Sequence, residues 1–202
     1  MKTHLITLIF IISFCSCKAQ SPIVDIESSS EGLPTGAYFK DNLNKLGKFA
    51  GTWTYTNGNT SFTIQLVKIE QYHQREGQGK FFEDVLIGEY KYVENGIEII
   101  NTLSNINNTS INPYSHLISG NIIAARKNSF TPCEDCSPDE KRAALSIRDP
   151  LRDYLTSHRI ILRYINDQEI TATIVATHGV MINEGDPIEL RVPNGEYTMI
   201  KQ

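Results

Sequence analysis

Cys133 and Cys136, separated by Glu134 and Asp135, form the motif with the most pointed chemistry in this chain. A C-x-x-C pair serves in thiol exchange when a helix N-terminus or nearby cations stabilise the attacking thiolate. Here Glu134, Asp135, Asp139 and Glu140 surround the thiols, and their negative charge works against a thiolate. A strand–helix–strand frame is missing as well. A zinc site would need further soft ligands, and the other two cysteines, Cys15 and Cys17, lie far away in the apolar N-terminal segment. Cys133 and Cys136 are therefore expected to form a structural disulfide in the loop from Pro132 to Pro138. Its contribution is modest, because loop-closure entropy grows with loop length and this loop is tiny.

Other chemistry is scarce. The chain has no G-x-S-x-G elbow, no H-E-x-x-H, no P-loop and no EF-hand loop. Beyond the N-terminal segment the histidines are His73, His116, His158 and His178, and none stands three to five residues from another. They form no local metal pair, and each is expected on solvated surface. Glu83-Asp84, Glu134-Asp135 and Asp139-Glu140 are adjacent acids. Neighbours on a strand point to opposite faces, so Glu83-Asp84 is no acid/base pair by spacing alone. No catalytic residue, metal ligand set or cofactor is expected, and the chain does not read as an enzyme.

The N-terminus carries an address. Lys2 precedes an apolar run over residues 5–14, broken only by the hydroxyls of Thr7 and Ser13. Crossing a bilayer takes roughly 20 apolar residues, whereas a secretory leader core takes about 7 to 15. The sequence Ser16-Cys17-Lys18-Ala19-Gln20 resembles the cleavage region of bacterial lipoproteins, in which a small residue precedes the cysteine that is acylated. Phe14 and Cys15 depart from the aliphatic and small residues preferred there. The resemblance implies a signal peptide over residues 1–16 and lipidation of Cys17, with two or more acyl chains giving stable attachment. Cleavage after Ala19 is the rival, and it would leave a periplasmic or secreted protein. Residues 17–36, rich in Ser, Glu, Pro and Gly, read as a tether, although Ile23-Val24-Asp25-Ile26 has the makings of a short strand. Residues 37–202 are left for one domain. Lys18-Ala19-Gln20 carries no acidic surface-export signal, so an anchor in the outer membrane facing the periplasm is expected.

Charge narrows the partners. Of 19 basic side chains only Lys2 lies within residues 1–16, and none of the 23 acidic ones does, so the exported body carries about −5. That balance suits solubility and disfavours nucleic acid, which wants a concentrated basic face.

The body reads as β. Alternating runs recur over residues 52–56, 60–72, 81–93, 97–103, 118–130, 143–148, 159–165, 170–177 and 197–201, bounded by turn residues such as Asn57-Gly58-Asn59 and Glu94-Asn95-Gly96. About nine strands with hairpin-length links predict an antiparallel up-and-down order, and closure into a barrel would hide the edges. Short helical turns are expected over residues 42–49 and from the Asp149-Pro150 start through Leu155.

Phe49-Ala50-Gly51-Thr52-Trp53 resembles the Phe-x-Gly-x-Trp start of lipocalins and fatty-acid-binding proteins. The resemblance implies a turn leading into the first strand, with Trp53 plugging one end of the barrel. With the leader included, the chain is also similar to lipocalin-like lipoproteins of Bacteroidota. It implies an all-β, lipocalin-like barrel of about 8–10 strands with one or two short helical turns. Lipocalins place a late Arg over the Trp, whereas here the last strand offers Lys201 and Arg191 precedes Pro193. The Arg-x-Tyr carboxylate clamp of fatty-acid-binding proteins is missing from Glu196-Tyr197-Thr198-Met199, so a fatty-acid site is not carried over. Inward faces such as Ile160/Leu162/Tyr164 and Ile170/Ala172/Ile174 are apolar, and small barrels often have room only for their own side chains. Two functions are expected to compete: binding of a small apolar ligand, or an envelope structural or interaction module with a filled core.

Overall fold

The computed structural model of the chain describes residues 21–74, 80–127, 132–177 and 185–202. Cys17, the leader and His178 lie outside the described residues. Eleven strands form among the described ones: β1 (Ile23–Asp25), β2 (Tyr38–Lys40), β3 (Gly51–Asn57), β4 (Thr60–Gln74), β5 (Phe81–Glu94), β6 (Ile97–Asn101), β7 (Ile118–Ala124), β8 (Arg142–Ile147), β9 (His158–Asn166), β10 (Glu169–Ala176) and β11 (Gly195–Lys201). Eight of them, in the order β3-β4-β5-β7-β8-β9-β10-β11, close an antiparallel barrel. The first and last of these meet where Lys201 opposes Trp53 and Ile200 opposes Thr54.

β5 is the long stave. One edge pairs with β4 over most of its length. Its other edge takes three partners in turn: β2 at Phe82–Glu83, β7 at Leu86–Gly88 and β6 at Lys91–Glu94. The β5–β6 hairpin turns on Asn95 and Gly96, both at positive φ (52° and 81°), the primed turn whose twist suits a hairpin.

Alternation sends one face of each strand inward. Phe62, Ile64 and Leu66 of β4, Leu86, Tyr90 and Tyr92 of β5, Ile160 and Leu162 of β9, Ile170, Ala172 and Ile174 of β10 and Met199 of β11 join Trp53 in one core cluster. A hollow able to hold a ligand would leave its lining accessible to a water-sized sphere. Phe62, Ile64, Ile160, Leu162, Ile170 and Ile174 are each 0 % exposed. The barrel is filled by its own side chains. Gly88 shows how tightly: a Cβ built there would lie 2.6 Å from Leu66 Cδ2, 2.9 Å from the Gln65 carbonyl oxygen and 3.3 Å from Ile118 Cβ.

The short turn expected over residues 42–49 is a 3-10 turn, Gly47–Phe49, and the Asp41 carboxylate holds the chain leading into it by accepting the amides of Lys45, Leu46 and Gly47. The stretch after Asp149-Pro150 makes turns and no helix; Asp149 accepts the Leu151 amide at 2.9 Å as an N-cap does, and the same carboxylate also accepts from Arg191. Part of the expected tether is ordered: β1 runs parallel to β2, and Lys45 binds Asp25 at 3.0 Å. Alternation could not reveal β2, because three residues show no period.

Gly88→Ala tests the packing by sign. An alanine with room beside it stabilises a chain by about 0.4–1 kcal/mol through the unfolded state. Here the added methyl should instead destabilise by about 1–3 kcal/mol, read as a lower urea midpoint. An unchanged or raised midpoint would mean slack inside the barrel.

Candidate functional site

Phe49, Gly51 and Trp53 come together at one end of the barrel. Trp53 is 0 % exposed and its Nε1–H donates to the Phe49 carbonyl at 2.8 Å. Gly51 sits at φ 131°, where a side chain is strained and a Cβ would approach Lys201 Cε to 3.2 Å. The Lys201 ammonium lies 5.2 Å from the Trp53 ring centroid, a cation over an indole face. Arg191 is elsewhere: β11 starts opposite Ile174 and ends opposite Trp53, so Arg191 lies toward the far end. There it forks onto buried Asp149 at 2.7 and 2.9 Å and donates to the Ile99 carbonyl. These hydrogen bonds and the Arg191 charge outweigh the effect of burial and hold the Asp149 carboxyl below its usual range.

Cys133 and Cys136 form a disulfide. Arg163 on β9 clips the surrounding loop through Asp135 at 2.7 Å and Glu140 at 2.6 Å. Asp135 stands close to both sulfurs, but sulfurs bonded to each other offer no thiolate to a metal.

A second apolar surface lies outside the barrel. On β4 and β5 the outward residues Val67, Ile69, Val85 and Ile87 are apolar as well, and Ile106 packs onto them in a small core of its own. Ile106 belongs to a 3-10 turn, Leu103–Asn107, followed by another at Pro113–Ser115. Residues 103–116, which link β6 to β7, fold back across the β4–β5 face. Three anchors hold them. Glu83 accepts from the Tyr114 hydroxyl at 2.9 Å and from Asn121 at 2.7 Å. Arg148 donates to the carbonyls of Tyr114 and His116 at 2.9 and 2.8 Å. Asn112 caps its turn by accepting the Tyr114 amide.

Between this loop and the sheet runs a groove of about 620 Å³, within the usual size of small-molecule sites. Ile69, Ile87 and Ile106 form its floor, Tyr72 and His73 of β4 one wall, and residues 108–113 the other. His116 closes one side. Its Nδ1 lies 2.9 Å from Glu89 Oε1, and both residues are 2 % exposed. Glu89 Oε2 has no hydrogen-bond partner. The pair stands on adjoining elements that only barrel closure brings together.

A family model matches residues 1–202, and its family is described as one of unknown function, DUF6705. The chain belongs to that family. No curated protein and no solved structure matches it significantly.

Two histidines overturn the solvated reading. His116 is buried against Glu89, and His158 is buried at the head of β9 with neither ring nitrogen hydrogen-bonded. His73, expected in a loop, is on β4 and stacks on Phe82 at 4.6 Å. The signal for a second buried face was present in Val85-Leu86-Ile87, a run without alternation, which marks a strand covered on both sides. Glu83 and Asp84 do diverge as strand neighbours should: Glu83 faces the loop, while fully buried Asp84 accepts from the Tyr38 hydroxyl and from the Asp41 and Gln71 amides.

His158 has a pH consequence. Burial holds its imidazole below the ordinary value of 6.5, against a smaller opposing effect of Glu189. The unfolded chain therefore binds a proton more readily. The stabilisation is whole above the ordinary value and is lost as pH falls from there toward the folded one. The urea midpoint should drop between pH 7.5 and 5.5, and less so in His158→Phe. An equal drop in both proteins would count against this assignment.

Proposed function

We propose that the protein is an exported component of the cell envelope, held by acyl chains on Cys17, whose filled barrel is a rigid scaffold and whose outer groove binds a small apolar molecule. The observation that carries the reading is the contrast between two faces of the same strands. Inward core side chains of β4 and β5 are at most 3 % exposed, while outward side chains of the same strands floor a groove of about 620 Å³. Apolar surface kept at a groove costs hydration free energy, roughly 25 cal/mol per Å², and a ligand recovers it. The alternative is an interaction module, and it draws on the same filled core. Residues 108–110 and 112 are exposed on the groove's outer wall and would present themselves to a protein partner.

N-phenyl-1-naphthylamine, an uncharged apolar fluorophore, should brighten and shift to the blue with the purified protein. Ile111→Asp should weaken its binding at least roughly tenfold, as expected for placing a charge on an apolar wall. Leu162→Val, inside the barrel, should leave it unchanged. No brightening at all would move the assignment to the interaction module.

Anchoring is tested apart from binding. Cys17→Ser should abolish acyl labelling and release the protein from membranes, and labelling that persists would remove the anchor.

A further inference from the structure

His116 gives the groove a chemical preference. Resting on the assignment of the groove as a small-molecule site, we infer that its ligand is an uncharged molecule with an apolar body and a hydroxyl group, which bonds Nε2 of His116.

The imidazole is held from two sides. Nδ1 lies 2.9 Å from Glu89 Oε1, and one proton shared between them fixes the ring plane. Arg148 fixes the backbone of the same residue by donating to the His116 carbonyl at 2.8 Å. The other ring nitrogen is left for the groove. Nε2 has no hydrogen bond from the described residues, and it is not among the buried atoms sealed without a partner. It is thus a positioned polar point beside the isoleucine floor, across from the polar residues 108–110 and 112 of the outer wall, and such a point orients a small ligand.

The rest of the lining decides the charge. No Lys, Arg, Asp or Glu of the described residues lines the groove. An ion of either sign entering it would lose its hydration without a counter-charge in the lining. A hydroxyl both donates and accepts, so it complements Nε2 whether that nitrogen is bare or protonated. Tyr72 and the floor isoleucines then take the apolar body.

The test uses competition against bound N-phenyl-1-naphthylamine at neutral pH, with four ligands of one shape: 2-naphthol, naphthalene, 2-naphthoate and 2-naphthylmethylamine. The expected result is displacement by 2-naphthol at about tenfold lower concentration than any of the others, the effect of one well-formed hydrogen bond. Glu89→Met with His116→Phe removes the polar pair without leaving an unpaired buried charge. In that protein naphthalene should bind as before, and the naphthol advantage should shrink to about twofold or less. Should the double variant fail to fold, the imidazole ¹⁵N signal of His116 in the native protein gives the answer: Nε2 should shift with 2-naphthol and stay put with naphthalene. Equal displacement by naphthol and naphthalene, stronger displacement by the naphthoate or the amine, or an unmoved Nε2 would overturn the inference while leaving the groove as an apolar site. Failure of the fluorophore and of naphthalene to bind would remove the groove assignment itself.

Discussion

β5 is held between Leu66 and Ile118 so closely that residue 88 has no space for a methyl group, and the arrangement of the whole molecule follows from that crowding. Strand spacing in a sheet is set by hydrogen bonding, so an inward face can adjust only by side-chain volume. Glycine at 88 lets Leu66 and Ile118 close over the middle of β5, which is where β7 joins and completes the barrel. With the interior spent on Trp53, Phe62, Tyr90 and the isoleucines of β9 and β10, any binding has to occur on outer surface.

The ends of the barrel are closed by polar groups that satisfy one another. At the Trp53 end, Asp41 and Asp84 share Lys68 at 3.4 Å each, and Tyr38 and backbone amides fill the remaining acceptor positions. Burial raises the Asp84 carboxyl, but these hydrogen bonds and Lys68 more than offset it and hold it below the usual range. At the other end Asp149 and Arg191 do the same. Buried charges of this kind contribute little net stability, but breaking one partner of such a pair is costly. They fix where the N-terminal strands and the β10–β11 connection sit.

Much of the barrel was legible in the chain because its signals are local. Alternation over β3, β4, β9 and β10, the Asn95-Gly96 turn and the Gly51-Thr52-Trp53 opening each declare themselves within a few residues. What escaped depends on contacts that only closure creates. Glu89 and His116 are 27 residues apart and meet across the β5–β7 junction. Residues 103–116 are mostly polar, yet Ile106 and Tyr114 pack onto the outward face of β4 and β5. His158 shares the inward parity of Ile160 and Leu162 but stands one residue before the run expected over 159–165, so the alternation read there does not reach it. Asp149-Pro150 has the residues of a helix start, and Asp149 caps its turn through the Leu151 amide, but nothing local shows that the same carboxylate also takes Arg191, 42 residues away.

Methyl NMR distinguishes the two faces most directly, because isoleucines lie on both. With isoleucine δ1 methyls labelled and assigned, N-phenyl-1-naphthylamine should shift the signals of Ile69, Ile87, Ile106 and Ile111 and give contacts from its rings to those methyls. The signals of Ile64, Ile160, Ile170 and Ile174 should stay within their unliganded positions. Ring contacts to the second set, with the first unmoved, would place the ligand inside the barrel and contradict a filled interior.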